Sequence, residues 1–384
     1  MKNTIFAAII LTASAGAAPR PLREHVDMHW TYDEENGWTC LAKTEAEGED
    51  VFEELEDVYL PVDDVPEQSG GQRHIQPEGA IYSFTGVDPG NPIWIAPQIQ
   101  QPGHCWPGFN NYQATGTFGA YQETDIRLSE DDRSLALPWI KVSLAGVTYQ
   151  GSGSGSFALW QEDSSGNPTV WFSTTDNSHS DTYFFVAGSH NHLNWGFGSP
   201  GIYRIRLSAS AYLGPGQTNP TGGSPDFTLT FAVGTFAHWQ ADNFSATELD
   251  DPLISGPEAN SDQDGMKNVV EFAFGFDPRS GVVVPESPGL GLPKVSIVEE
   301  GGTFYQVLEY PARRAGAQIA PLLYKPEFSS DLNWDSNDIV TMAVGFPPEM
   351  DSLNGVWEKI TARRPVGPSA PARGFGRVGV SSGD

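Results

Sequence analysis

The stretch Ile202-Tyr203-Arg204-Ile205-Arg206-Leu207-Ser208 decides the fold. Tyr203, Ile205 and Leu207 point one way, and Arg204, Arg206 and Ser208 the other. That period of two belongs to a half-buried β-strand. The same theme recurs in short runs at Ile81–Phe84, Ile93–Ala96, Trp139–Leu144, Phe157–Gln161, Val170–Thr174, Tyr183–Val186, Ile202–Leu213 and Phe227–Val233. Turn residues separate them, as in Asp163-Ser164-Ser165-Gly166-Asn167-Pro168. Many short strands punctuated this way predict a β-sandwich or jelly-roll over residues 23–234. The acidic stretch Thr44–Asp57 breaks the pattern and reads as a loop or a short exposed helix.

The character changes near Thr235. Phe236, Trp239, Gln240 and Phe244 predict a short helix capped by Thr235. A loop rich in Asp and Asn follows, then Met266–Phe274 at helical spacing, ended by Gly275 and Pro278. Beyond a Pro/Gly-rich linker, Tyr305–Tyr310, Leu322–Phe328, Val356–Ala362 and Phe375–Val380 read as strands of a smaller β-sandwich over residues 294–384.

The chain carries 49 acidic against 21 basic side chains, a formal net charge of −28. Such a surface repels phosphate backbones and anionic membranes, arguing against nucleic acid as a partner, and it favours cations. Residues 1–17 read as an export signal: Lys2, the apolar run Ile5–Leu11, and the small residues Ala15-Gly16-Ala17. That run is too short to anchor a protein in a bilayer, and no later stretch reads as a membrane span, so membrane insertion is not expected. The expected location is secreted, extracellular or periplasmic, with cell-surface association open. Cys40 and Cys105 form either a disulfide or two buried thiols, or Cys105 acts beside His104 as a soft ligand. A disulfide closing that loop would contribute about 4 kcal/mol.

The sharpest motif is Asn260-Ser261-Asp262-Gln263-Asp264-Gly265-Met266-Lys267-Asn268-Val269-Val270-Glu271. Asn260, Asp262 and Asp264 fall at positions 1, 3 and 5 of an EF-hand-type calcium loop, with glycine at 6 where the chain must turn. The Met266 carbonyl falls at 7, Asn268 at 9 and Glu271 at 12. A weak extracellular site of this kind stabilises a fold by about 1–2 kcal/mol in millimolar calcium, the role of a structural clip rather than a sensor. The alternative is a polar Asx-turn loop capping a helix.

The eight histidines are the second signal. His25, Asp27 and His29 stand at i, i+2 and i+4, and His190 and His192 at i and i+2. On strands, each set shares one face. Two such strands side by side would gather His25, Asp27, His190 and His192 around one transition metal such as zinc or copper, with Asn194 and Trp195 as supporting neighbours and His104, near Trp106, a weaker candidate. The competing reading is of half-buried histidines fixing strand ends by ordinary hydrogen bonds.

Nucleophilic catalysis finds little support. Gly151-Ser152-Gly153-Ser154-Gly155 places glycine where G-x-S-x-G needs serine, and Gly374-Phe375-Gly376-Arg377-Val378-Gly379 has no helix after it to cradle a phosphate. Trp94, Trp106, Trp160 and Trp171 are candidates either for stacking on sugar rings or for the core.

Several pieces fall in a familiar order: His25-Val26-Asp27, Ile93-Trp94-Ile95-Ala96-Pro97-Gln98, Trp106-Pro107-Gly108-Phe109, Gly155-Ser156-Phe157-Ala158-Leu159-Trp160, His190-Asn191-His192-Leu193-Asn194-Trp195-Gly196-Phe197 and Pro200-Gly201-Ile202-Tyr203. Together they resemble the choice-of-anchor M domain, also called the actinobacterial surface-anchored protein domain. The calcium-loop segment with Glu271-Phe272-Ala273-Phe274-Gly275-Phe276-Asp277-Pro278 looks like the tails of secreted proteins from Verrucomicrobia and relatives. The resemblance implies an exported surface protein. It hints at metal handling, since such domains occur beside metal-uptake transporters in actinobacteria, and its histidine motifs fall on His25, Asp27, His190 and His192.

The expected fold is all-β: a β-sandwich or jelly-roll N-terminal domain, a short helical calcium-loop linker over residues 235–281, and a smaller C-terminal β-sandwich. The expected function is non-enzymatic binding of metal ions, with envelope components or a metal-uptake system as partners. A metal-dependent or carbohydrate-active enzyme and a structural part of an extracellular assembly are the alternatives.

Overall fold

The computed structural model describes residues 9–11, 16–113, 117–119, 127–128, 137–178, 180–214, 220–281, 290–314, 322–329, 334, 349–353, 356–367 and 374–382. The fold is all-β, in two compact units, Met1–Thr247 and Glu248–Asp384. Among the described residues no helix is long and apolar enough to cross a membrane.

The first unit begins β1 (Ile9–Leu11), β2 (Arg20–Pro21), β3 (His25–Asp33), β4 (Gly37–Ala46), β5 (Glu49–Glu54), β6 (Val58–Val62), β7 (Arg73–Ile75) and β8 (Pro92–Ala96). It continues β9 (Trp106–Asn110), β10 (Trp139–Gln150), β11 (Phe157–Glu162), β12 (Pro168–Ser173), β13 (Thr182–Val186), β14 (His190–His192), β15 (Asn194–Phe197), β16 (Gly201–Ser210) and β17 (Phe227–Val233). Helix α1 (Thr235–Asn243) closes it. The strands form three sheets, in the orders β1-β5-β4-β3-β9-β14, β13-β10-β16-β17-β6-β2 and β12-β11-β15-β8-β7.

One apolar core joins the three sheets. Trp195 of β15 lies 5.5 Å from the ring of Phe109 on β9 and 5.3 Å from that of Phe231 on β17, so one side chain touches residues of all three sheets. On β16, Tyr203, Ile205 and Leu207 are buried while Arg206 faces solvent, as the alternation requires. Trp94, Trp160 and Trp171 are buried, which places them in the core and removes them as a sugar-stacking strip. Cys40 and Cys105 are buried and unbridged, and burial raises both thiols above their ordinary range.

Three local expectations are corrected. Thr44–Asp57 is neither loop nor helix for most of its length: β4 and β5 pair across a two-residue turn at Glu47-Gly48. Both turn residues have positive φ (53° and 82°), the geometry of a hairpin turn whose twist matches its strands. Only Leu55–Asp57 coils, as a 3-10 turn. Ile81–Phe84 lies in a 3-10 helix (Ala80–Thr85) that ends at left-handed Gly86. The Phe84 carbonyl accepts from Ser173 Oγ and Thr175 Oγ1, so its polar group is satisfied without a ladder. Helix α1 is preceded by Gly234 in the capping position, at φ 88°, with Thr235 already inside the first turn.

Asp64, just after β6, is a buried carboxylate. It accepts from Trp94 Nε1 at 2.8 Å and from Arg73 at 3.2 Å, while its Oδ2 has no partner. Burial outweighs these bonds and pushes its carboxyl up to about 6.

The second unit contains helix α2 (Asn268–Phe274) and strands β18 (Lys294–Glu300), β19 (Thr303–Arg313), β20 (Leu322–Ser329), β21 (Glu349–Ser352), β22 (Trp357–Gly367) and β23 (Phe375–Ser382). They form an antiparallel sheet β18-β19-β22-β21 and an antiparallel pair β20-β23. Helix α2 starts two residues later than its apolar spacing predicts and ends at left-handed Gly275. It is bolted to the strands: Arg313 Nε donates to the Phe272 carbonyl and the Tyr324 hydroxyl to the Ala273 carbonyl. The Arg313 guanidinium also lies 3.9 Å over the Phe272 ring and 4.4 Å over that of Trp357.

Candidate metal centre

Sequence spacing placed His25 with Asp27, and His190 with His192, on single strand faces. In the fold the two strands do not pair with each other; β9 runs between them. It is parallel to β3 and antiparallel to β14, which sets three rows. Asp27, Gly108 and His192 share one row; His29, Asn110 and His190 share the next; His25 stands beside Trp106. Because successive side chains alternate, all eight residues of this patch lie on one face of the sheet.

Gly108 makes the convergence feasible. A Cβ at this position would lie 2.6 Å from Asp27 Oδ1 and 2.7 Å from His192 Cε1. The space that any side chain would take on the middle strand is filled from both sides by a carboxylate and an imidazole.

His25, Asp27, His190 and His192 each bring one ligand-type atom into a group with all separations within 4.8 Å. His190 Nε2 is 3.1 Å from His25 Nε2, 2.9 Å from His192 Nε2 and 3.0 Å from Asp27 Oδ1. Asp27 Oδ2 is 3.3 Å from His25 Nε2, and Oδ1 is 3.8 Å from His192 Nε2. Atoms bound to a zinc ion at about 2.0–2.1 Å stand about 3.3 Å apart in a tetrahedron; these separations lie around that value, with Asp27 meeting His25 through Oδ2 and His190 and His192 through Oδ1. Where three imidazole Nε2 atoms face one point, lone pairs turned inward repel each other, and three protonated rings repel more. A cation at their centre relieves both.

The surroundings set depth and charge. Asp27 is fully buried and the His192 side chain is 7% exposed, whereas those of His25 and His190 are 28% and 35% exposed. The group therefore sits in the sheet surface with one side toward water. Burial works to raise the Asp27 carboxyl, but the bond from His25 and the fields of His25, His190 and His192 hold it below its ordinary value. Burial pushes the His192 imidazole down to about 4, leaving it neutral and able to donate a lone pair at neutral pH.

Supporting residues that the spacing did not reveal lie on β9. The Trp106 indole stacks on His192 and donates from Nε1 to the Gln98 carbonyl at 3.0 Å. Asn110 Nδ2 donates to Asp27 Oδ2 at 2.8 Å, and Asn110 Oδ1 accepts from His29 Nδ1. His29 thus lies one step outside the ligand group. Trp195 belongs to the core, and Asn194 braces Gln98, accepting from its N–H at 2.8 Å. His104 stands apart from the cluster, 3.6 Å from Asp63.

A second group of oxygens gathers in the second unit. Asp262, Asp264 and Glu271 each bring a carboxylate oxygen into one cluster within 4.8 Å. Asn260 Oδ1, Asp262 Oδ2 and both Glu271 oxygens are buried and have no hydrogen-bond partner. Gln263 and Gly265 take positive φ, 63° and 99°, folding the loop inward. Burial, then the charges of Asp262, Asp264 and Asp277, push the Glu271 carboxyl up to about 8. Met266 follows the turn, its N–H donating to Asp264 Oδ1 at 2.7 Å.

Asn268 corrects the position count. Its amide donates to the carbonyls of Ile254 and Gly256, and its oxygen accepts from Ser261 Oγ. The side chain ties the loop to the preceding turn.

No protein-family model matches this chain and no curated protein matches its sequence.

Proposed function

We propose that this protein is an exported, non-enzymatic metal-binding protein that holds one transition-metal ion, zinc or copper, at His25, Asp27, His190 and His192. The observation that carries this reading is the convergence of three Nε2 atoms and a buried carboxylate at separations near tetrahedral edge lengths, beside a glycine whose side-chain space Asp27 and His192 occupy. Four protein donors complete a tetrahedron, which suits capture or storage better than hydrolysis, where a coordination position stays open for water. The surface position of His25 and His190 gives an ion a path in and out. The resemblance to surface-anchored domains found beside metal-uptake transporters supports handling of metal at the cell envelope.

The acidic loop of the second unit is read as a calcium clip held by Asn260, Asp262, Asp264, the Met266 carbonyl and Glu271. Its support is chemical: buried oxygens with no donor are costly unless a cation meets them, and calcium takes oxygen ligands in flexible geometry.

Elemental analysis of the purified protein, with zinc and copper titrations followed by calorimetry, tests the first reading. One ion per chain is expected in the wild type. Its loss is expected when His190 and His192 are both changed to Ala. A wild type that binds neither metal at micromolar concentration overturns it.

A further inference from the structure

Strand β9 supplies no ligand to the histidine cluster, yet it runs between the two strands that do. Its face residues divide the work: Trp106 stacks on a ligand, Gly108 leaves room for two, and Asn110 reaches the carboxylate. Asn110 has the most specific geometry of the three. It is fully buried, and both ends of its amide are engaged in opposite directions. The nitrogen donates to Asp27 Oδ2, and the oxygen accepts from His29 Nδ1. His29 is itself flanked by the rings of Phe52 and Tyr112, at 5.0 and 5.6 Å. Turning the amide over would set oxygen against a carboxylate oxygen and an NH2 group against an imidazole N–H, so a single orientation persists.

This orientation makes the two oxygens of Asp27 unequal. Oδ2 accepts from the amide at 2.8 Å and lies 3.3 Å from His25 Nε2, while Oδ1, with no amide on it, faces His190 Nε2 at 3.0 Å and His192 Nε2 at 3.8 Å. We propose that Asn110 is a positioning residue that restricts Asp27 to one metal-bound oxygen, and so fixes a four-coordinate N3O site that favours zinc over nickel(II). The inference rests on the metal reading above. A carboxylate free to swing presents both oxygens and raises the coordination number. A pinned one closes a tetrahedron, which zinc accepts readily and nickel(II) does not favour. Neighbours that orient ligands in this way typically govern affinity by about 10–100-fold.

Cobalt(II) is the probe, because tetrahedral cobalt absorbs strongly in the visible and five- or six-coordinate cobalt weakly. Wild-type protein loaded with cobalt is expected to show the intense tetrahedral bands. Asn110→Ala is expected to show weaker, shifted bands, a zinc affinity about 10–100-fold lower, and a smaller loss for nickel. His29→Phe leaves Asn110 in place but removes its outer partner, and should move the spectrum in the same direction by less. Should Asn110→Ala fail to fold by near-ultraviolet circular dichroism, His29→Phe decides. Wild-type bands and zinc affinity in a folded variant overturn the inference and leave the metal site standing. Absence of zinc and cobalt uptake by the wild type overturns both.

Discussion

The imidazole of His192 lies flat on the indole of Trp106, with ring centroids 3.5 Å apart and planes 8° from parallel. The indole is anchored through Nε1 to Gln98, so it fixes the tilt of the imidazole and would do so without touching an ion held by the cluster. Copper(II) bound at the cluster is therefore expected to quench Trp106 fluorescence with a one-to-one end point, and zinc to perturb it far less. Trp106→Leu should abolish that quenching component and weaken metal binding by about tenfold, as for other residues that orient ligands. Titration of the wild type and the variant under identical conditions checks both, and unaltered quenching in Trp106→Leu would contradict the assignment.

Gly108→Ala tests the space between the two ligand strands. Its Cβ would lie 2.6 Å from Asp27 Oδ1, so either the carboxylate or β9 must shift. Zinc binding should be lost in calorimetry. Stability should fall by about 1–3 kcal/mol, the usual cost of overfilling a packed site. A variant that binds zinc like the wild type would show that the row Asp27–Gly108–His192 is not the cage.

Calcium should stabilise the second unit in a pH-dependent way. Glu271 is raised from an ordinary value of 4.5 to about 8 in the fold. The stability gained by keeping it neutral is complete below the unfolded value and is lost as pH rises through about 8. In chelator, the unit should thus melt at progressively lower temperature between pH 5 and pH 8.5. Millimolar calcium should restore about 1–2 kcal/mol at the alkaline end, a shift of about 3–8 °C. Glu271→Gln should flatten the pH dependence and remove the response to calcium. Scanning calorimetry in calcium and in chelator provides the measurement.

Asp64 predicts a second pH effect, in the first unit. Its carboxyl is raised to about 6, so its favourable contribution is whole below the unfolded value of 3.8 and disappears as pH rises through 6. Asp64→Asn keeps an acceptor for Trp94 and mimics the protonated acid. It should raise stability at pH 7.5 by about 3 kcal/mol at most and leave it nearly unchanged at pH 4. Urea unfolding at the two pH values checks this. A destabilised variant at pH 7.5 would mean that the Arg73 ion pair outweighs burial.

Much of this was legible in the letters. The alternation in Ile202–Ser208 gave β16 its inward and outward faces, and the i, i+2 spacing of His25, Asp27, His190 and His192 marked the residues that the fold brings together. The rest depended on contacts between distant segments. Nothing local says that Trp106–Asn110 will lie between β3 and β14, so the roles of Gly108 and Asn110 were hidden until the register was known. The hairpin in Thr44–Asp57 was missed because acidic side chains mask alternation and the Glu47-Gly48 turn lacks the usual Asn or Asp. Asn268 was counted as a ligand by position, but buried carbonyls of Ile254 and Gly256 compete for its amide.

Strand β14 is three residues long and forms the rim of its six-stranded sheet. So short a rim strand holds on to its neighbour by few backbone bonds. An ion held by His190 and His192 on the rim, and by His25 and Asp27 two strands inward, would act as a rivet through the border of the sheet. Without such an ion, β14 would be the segment most ready to peel away, baring the backbone of β9 to any other extended chain. Metal starvation would then register first as self-association of this protein, before any loss of its core.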